Sequence, residues 1–123
     1  MSDAQPEKRR ARQLADQIKF ELGWLIERKL TDPSKGFITV TRVRLSSDLK
    51  YARVYYSAMG SEEQRAGSDK ALKRAVNFLR RELGRKLNIR YVPEIRFFFD
   101  DSLDYAEHMN SLFKKIDGQN DTE

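Results

Sequence analysis

Apolar residues recur every three or four positions in two separate parts of this chain, and this periodicity restricts its fold more than any other feature. The two parts cover residues 8–30 and residues 70–87. An apolar repeat of this spacing lies on one face of an α-helix. Each helix must therefore bury that face against another layer of the protein. The repeating residues are Leu14, Ile18, Leu22, Leu25, Ile26 and Leu30 in the first part, and Leu72, Val76, Leu79, Leu83 and Leu87 in the second.

The segments between and after these parts have the composition of β-strands. Residues 37–45 are rich in β-branched side chains, but their apolar positions change parity, which predicts a bulge near Thr41 and Arg42. Residues 51–57 resume the alternation after a short polar turn, so the two segments predict a β-hairpin. Residues 91–100 predict a third strand.

Residues that begin or end helices mark the boundaries between these elements. Pro6 predicts the first helical turn, because the amide that proline lacks has no partner there in any case. Ser61 is the predicted N-cap of the next helical region, and Gly67 is expected to interrupt that region, which divides it into two helices. Asp101 or Ser102 is the predicted cap of a C-terminal helix.

These elements predict an α+β domain with the order helix, strand, strand, helix, helix, strand and an added C-terminal helix. We expect a three-stranded sheet with the helices packed on one face. A chain of 123 residues is long enough for one domain and too short to require a second. We expect residues 7–116 to form this domain, between a flexible N-terminus at residues 1–6 and a disordered tail at residues 117–123.

The composition argues against several classes of function. The chain has no cysteine, which excludes disulfides, thiolate catalysis and cysteine-based zinc sites. His108 is its only histidine, so a nucleophilic triad of the usual kind cannot form. Asp100, Asp101 and Asp104 could bind magnesium, but adjacent acids between a strand and a helix match helix capping better. We expect no enzyme activity, metal, cofactor or small-molecule substrate.

The chain also lacks the features of a secreted or membrane protein. Its N-terminus has no apolar core of the kind found in secretory signals. Its longest apolar clusters are too short to span a bilayer. We therefore expect a cytoplasmic protein that does not bind membranes.

The net charge of +5 is distributed unevenly along the chain. Residues 70–90 contain eight basic residues and one acid, which gives +7, whereas residues 94–123 carry −5. A basic cluster of this size attracts a polyanion, which predicts a nucleic-acid partner. On a helical projection, most of the basic residues lie opposite the leucine face, with Asn77 among them. The candidate RNA-binding residues are Lys70, Lys73, Arg74, Asn77, Arg80, Arg81 and Arg85.

Asn77 is unusual within this helical segment. Asparagine costs roughly 0.7 kcal/mol relative to alanine inside a helix, and it tolerates a left-handed backbone. We therefore expect a local kink at Asn77. Such a kink would expose backbone amides beside the basic residues, and amides at a helix N-terminus bind phosphate. The alternative is a basic helix face that is solvated and binds nothing.

A second candidate surface lies on the predicted strands. Tyr51, Tyr55 and Phe98 alternate with Arg53 and Arg96, a pattern that could stack exposed bases on an open sheet face. Aromatic residues in strands more commonly belong to the core, and the C-terminal helix could cover this face. Both interpretations remain open from the sequence.

Two segments are similar to the ribosome-binding factor A family. They are residues 45–57, LSSDLKYARVYYS, and residues 92–103, VPEIRFFFDDSL. The similarity extends from about Arg10 to Leu112. The order of the elements also resembles the type II K homology domain, although the chain lacks the glycine loop with which that domain clamps a nucleic-acid backbone.

The resemblance implies a monomeric, non-catalytic assembly factor. Such a factor would bind the small (30S) ribosomal subunit and its rRNA during late maturation and processing. The resemblance also implies a K homology-like fold with a kink at an Ala-x-Gly motif, which maps onto Ala75, Val76 and Asn77, with asparagine in place of glycine. From the residues alone, the alternative is a protein-interaction module whose basic helix binds an acidic protein partner.

Overall fold

The computed structural model describes residues 6–102 as two helices and one three-stranded sheet. The strand order in the sheet is β1-β2-β3, with β1 antiparallel and β3 parallel to β2. This arrangement confirms the predicted α+β class and agrees with a K homology-like fold. The elements are α1 (Pro6–Arg28), β1 (Ile38–Leu45), β2 (Tyr51–Ala58), α2 (Glu62–Leu87) and β3 (Glu94–Phe99).

Both helices pack on the same face of the sheet, as predicted. Ala52, Val54 and Tyr56 of β2 are buried beneath them, in one cluster with the apolar residues of α1 and α2. Tyr51 and Arg53, which alternate with these residues, are exposed. No element within residues 6–102 therefore covers the second face of the sheet, which we call the open face.

The predicted bulge in β1 is present. The register between β1 and β2 shifts between Val40 and Arg42, so Thr41 is the extra residue. The Thr41 hydroxyl donates to Asp100 Oδ2 at 2.6 Å. Because the bulge changes the parity of β1, Val40 and Val43 are both buried, and Arg42 pairs with Tyr55 on the open face.

α2 differs from the prediction because it is one continuous helix of 26 residues and not two. It begins as predicted at Ser61, which forms a capping box with Gln64. Gly67 does not interrupt it. A Cβ atom at Gly67 would lie 3.3 Å from the carbonyl oxygen of Ser34, so this glycine allows the loop before β1 to approach the helix closely.

The left-handed conformation from which we expected a kink at Asn77 is absent. α2 continues through Ala75, Val76 and Asn77, and Asn77 does not have a positive φ. The buried residues on either side explain this result: burial of a side chain such as Leu79 stabilises the helix by about 2 kcal/mol, more than asparagine costs. The left-handed residue is Asn88, with φ of 51°, which forms the C-cap of α2.

The chain ends fall largely outside the described residues. The predicted C-terminal helix and the tail at residues 117–123 lie there. So does the predicted flexible N-terminus, except that Pro6 already begins α1. β3 begins later than predicted, at Glu94, directly after the buried Pro93. Within residues 6–102, neither helix has the length and apolar content needed to cross a membrane.

Candidate nucleic-acid interface

Five of the predicted RNA-binding residues form one row along the exposed side of α2. Successive members are three or four positions apart, so they follow the helix axis opposite the buried leucines. The row is about 22 Å long at 1.5 Å per residue. All five side chains are exposed. The row, which we call the α2 ridge, consists of Lys70, Arg74, Asn77, Arg81 and Arg85.

Lys70 and Arg81 are the members of the ridge with the greatest freedom to bind a ligand. Neither side chain has a hydrogen bond or an ion pair with any residue in the described part of the chain. Arg85 is also exposed, and its Nη1 lies 3.7 Å from Glu82 Oε1, at the long end of the range for an ion pair. These three cations can exchange water for phosphate without losing a strong contact within the protein.

Arg74 has a second role in the structure. Its Nε and Nη2 groups donate to Asp32 Oδ2 at 3.1 and 2.8 Å, which holds the loop after α1 against α2. The hydrogen bond from the Ser34 amide and those from Arg74 lower the pKa of Asp32 below its usual value. This pairing neutralises part of the charge that Arg74 contributes to the ridge.

Lys73 and Arg80 lie beside the ridge and are both engaged. Lys73 pairs with Asp69 at 2.9 Å. Arg80 is half-buried, and its Nε and Nη2 groups donate to the carbonyl oxygens of Pro93 and Val92 at 3.1 and 2.9 Å. Arg80 therefore connects α2 to the segment that leads into β3.

The acid paired with Lys73 also supports the core. The buried Tyr56 hydroxyl donates to Asp69 Oδ1 at 2.7 Å. Burial alone would raise the pKa of Asp69, but the hydrogen bonds from Lys73 and Tyr56 outweigh it and leave the pKa lowered. Burial and the same carboxylate raise the pKa of Tyr56. This cluster links the helix layer to the sheet.

Lys86 is basic but does not belong to the ridge. Its Nζ lies 3.7 Å from the centre of the Trp24 ring and 3.8 Å from Glu21 Oε2. Both partners are on α1, so the contact joins the two helices. Although Lys86 is exposed, its ammonium group is therefore already engaged in helix packing.

The aromatic and basic residues of the strands lie together on the open face. Tyr51, Tyr55, Phe98, Arg53 and Arg96 all belong to this face. The sequence interpretation missed two further arginines on the same face, Arg42 and Arg44, which the bulge in β1 brings into register with β2. The parity change that predicted the bulge contained the signal needed to find them.

The acids at the end of β3 take part in hydrogen bonds within the protein. Asp100 accepts from the Thr41 hydroxyl and from the Ser102 amide. The hydrogen bonds from Ser102 and Thr41 lower the pKa of Asp100 to about 2. Within residues 6–102, no three histidine, aspartate or glutamate side chains are grouped closely enough to hold a metal ion. Asp104 lies outside the described residues.

Comparison with known proteins identifies the family. The family model for ribosome-binding factor A matches residues 10–113. The crystal structure of ribosome-binding factor A from Thermus thermophilus is 35% identical, with a TM-score of 0.63 over 72% of this chain and 93% of that chain. The solution structure of a Thermotoga maritima homologue is 37% identical, with a TM-score of 0.64 over 72% and 85% of the two chains.

A third similar structure comes from a ribosomal complex. It is a model of the Thermus thermophilus factor fitted into a cryo-electron microscopy map of a complex with the 30S subunit. It is 34% identical and has a TM-score of 0.61 over 71% of this chain and 91% of that chain. The family model covers most of this sequence. The chain belongs to the ribosome-binding factor A family.

Proposed function

We propose that this protein binds the small ribosomal subunit through its rRNA during late maturation and processing of the subunit, and that the α2 ridge is its main contact. The family supports the target, since a relative has been fitted into a map of a 30S complex. The observation that carries the site is a row of exposed cations, two of which, Lys70 and Arg81, have no acidic partner among residues 6–102.

The ridge is suited to the RNA backbone and not to a particular base sequence. Its cations lie on one continuous helix, so they can meet phosphates along a stretch of about 22 Å. The amide of Asn77 can hydrogen-bond a phosphate or a ribose hydroxyl between them. Each phosphate contact releases counterions, so affinity falls with salt at a slope of roughly −0.7 to −0.9 per contact.

Not all the basic residues of α2 contribute equally to this proposal. Lys70, Arg81 and Arg85 supply most of the binding energy because they are exposed and weakly engaged. Arg74 and Lys73 contribute less, because acids already neutralise part of their charge. Arg80 supports the surface by holding the segment before β3, so a variant of Arg80 would confuse folding with binding.

Co-sedimentation with small ribosomal subunits tests the ridge directly. A ridge variant and a control variant each remove three positive charges from exposed helix positions. The ridge variant should leave the protein unbound at moderate salt and reduce the salt slope by about 2, whereas the control should bind like the wild type. Equal loss in both variants would contradict a specific ridge. The ridge variant is Lys70→Gln, Arg81→Gln and Arg85→Gln; the control on α1 is Arg12→Gln, Lys19→Gln and Arg28→Gln.

A nuclease arm of the same experiment separates RNA from an acidic protein as the partner. Digestion of the subunit RNA should release the bound protein into the supernatant. A complex that survives digestion would favour the protein-interaction alternative.

The maturation role requires a measurement in cells. A strain that produces the ridge variant in place of the wild type should accumulate small-subunit rRNA with unprocessed ends, measured by primer extension. Normal rRNA ends in cells whose variant no longer binds subunits would refute the maturation role and leave the binding role intact.

A further inference from the structure

Three arginines lie side by side across the open face. Arg44 pairs with Arg53 in the antiparallel ladder, and Arg53 pairs with Arg96 in the parallel ladder. Neighbouring strands are about 4.8 Å apart, so the three side chains occupy a band about 10 Å wide. We call this band the arginine rung. Like charges directly opposite one another on a sheet are destabilising, so the rung lowers stability unless an anion binds to it.

The described residues offer little compensation for this charge. Arg96 Nη2 lies 4.0 Å from Glu94 Oε1, and both side chains are well exposed. Arg44 and Arg53 have no ion pair with any residue between positions 6 and 102. The rung therefore has the character of an anion site and not of a surface salt-bridge network.

The next rung of the sheet provides aromatic rings beside the arginines. Tyr55 and Phe98 are ladder partners, with ring centres 5.7 Å apart and planes tilted by 33°. Arg42 lies over the Tyr55 ring at 4.2 Å, and Arg53 lies near the Phe98 ring at 6.0 Å. Phe98 remains 40% exposed. Exposed rings of this kind can stack on nucleic-acid bases.

The arginine rung and the Phe98 ring line one shallow concavity. Its volume is about 600 Å³, and its lining includes Arg44, Arg53, Arg96, Tyr51 and Phe98. Sites that hold small organic ligands have volumes of roughly 300–1,000 Å³, so the concavity is large enough for a nucleotide unit. Charge, rings and shape therefore coincide at one place on the open face.

We propose that the open face is a second RNA site, which binds a single-stranded segment. One base stacks on Phe98, and the arginine rung binds the neighbouring phosphates. An unpaired segment is required because bases within a duplex are stacked on each other and do not reach aromatic side chains. The open face carries two acids, Glu94 and Asp100, and four arginines, Arg42, Arg44, Arg53 and Arg96. This excess of positive charge attracts a polyanion such as RNA more strongly than an acidic peptide that carries only a few charges.

This inference rests on the proposed function and extends it. The buried side of α2 faces the sheet, so the α2 ridge points away from the open face. The two surfaces therefore lie on opposite sides of the domain and must contact different parts of an RNA. The ridge meets a folded backbone, while the open face holds an unpaired segment.

Binding of a fluorescein-labelled oligouridylate of about 12 nucleotides to the full-length protein, measured by anisotropy, tests the site, because this RNA has no duplex structure. The rung variant should bind at least tenfold more weakly, with a salt slope reduced by about 2. Phe98→Thr should weaken binding at least fivefold without changing the salt slope, because it removes stacking and no charge. The ridge variant should lose less than threefold. The rung variant is Arg44→Gln, Arg53→Gln and Arg96→Gln.

Three outcomes would overturn the inference. Unchanged oligouridylate binding by the rung variant would show that the arginine rung is not a binding site. Equal losses of affinity in the rung and ridge variants would show that binding depends only on the net charge of the protein. The third outcome combines two results: the double variant Asp104→Asn with Glu107→Gln binds more tightly than the wild type, and the single variant Phe98→Thr binds like the wild type. Together they would indicate that the acidic C-terminal segment occupies the open face instead.

These measurements distinguish an effect on folding from an effect on binding, and they test the α2 ridge and the open face separately. The rung variant should unfold at the same urea concentration as the wild type or a higher one, because it relieves repulsion between like charges. Unchanged subunit co-sedimentation by the ridge variant would refute the ridge alone. Unchanged oligouridylate binding by the rung variant would refute the open-face site alone.

Discussion

Arg80→Gln should destabilise the fold, whereas Arg81→Gln at the next position should not. The Arg80 guanidinium is half-buried and donates two hydrogen bonds, at 3.1 Å to Pro93 and at 2.9 Å to Val92. A hydrogen bond to a charged group contributes about 1.5–3 kcal/mol when it is well shielded, and partial exposure reduces this to about 1 kcal/mol. Loss of both therefore costs about 2 kcal/mol, while Arg81, which is exposed, should change stability by no more than about 0.5 kcal/mol.

Urea denaturation followed by far-ultraviolet circular dichroism measures this difference. A cost of 2 kcal/mol should also lower the melting temperature by roughly 8 °C, at about 4 °C per kcal/mol for a domain of this size. Arg80→Lys is the informative control, because lysine keeps the charge but not the planar pair of donors, and it should be nearly as unstable as Arg80→Gln. Equal urea midpoints for the Arg80→Gln and Arg81→Gln variants would refute the reasoning, and Arg80 would then count among the cations that are free to bind a ligand.

Three further predictions concern single side chains. Tyr56→Phe removes the hydroxyl that donates to Asp69 and should lower the free energy of unfolding by about 1.5 kcal/mol in urea; no change would mean that this bond is not formed. Asp100→Asn should be less stable than the wild type near neutral pH in thermal melts. The difference should disappear as the pH falls from 3.8, the usual pKa of the group, through the folded pKa of about 2, because protonation of the wild-type carboxylate removes the same stabilisation; a difference that persists in acid would contradict this. Asn88→Ala should cost about 1 kcal/mol in urea because φ is 51°, whereas Asn88→Gly should not, and equal midpoints would argue against the left-handed cap.

The fold could be predicted to the extent that it depends on local patterns. Apolar periodicity was sufficient for both helices, and the parity change in β1 was sufficient for the bulge at Thr41. The continuity of α2 could not be predicted, because Gly67 and Asn77 each disfavour a helix by only about 1 kcal/mol or less. Long-range contacts, such as the Ser34 carbonyl against Gly67, outweigh such weak preferences and leave no trace in the local sequence.

The candidate site was predictable as a surface and not residue by residue. Helical geometry is sufficient to place Arg80 and Arg81 on the polar side of α2. It cannot distinguish them, because Arg80 is fixed by carbonyl groups 12 and 13 residues further along the chain. Arg42 and Arg44 were missed for a related reason. The bulge at Thr41 changes which face of the sheet the following residues of β1 occupy. Placing Arg42 and Arg44 on the open face therefore requires the pairing register between β1 and β2.

The contacts of α2 show that only part of its positive charge is available to a ligand. Residues 70–90 carry +7, yet Arg74 is paired with Asp32, Arg80 binds backbone carbonyls, and Lys86 packs on Trp24. These three cations hold the loop after α1, the segment before β3 and helix α1 against α2. Because each is already engaged, RNA would have to compete for it, and its replacement would disturb the fold.

The exposed cations have the opposite property. Lys70 and Arg81 on the ridge, and Arg44 and Arg53 on the arginine rung, have no acidic partner among residues 6–102, so their replacement removes charge without breaking an ion pair among those residues. A two-layer domain leaves one helix side and one sheet face in solvent, and both are free to carry such residues. Substitutions at these residues can therefore test the two proposed binding surfaces separately while the domain stays folded.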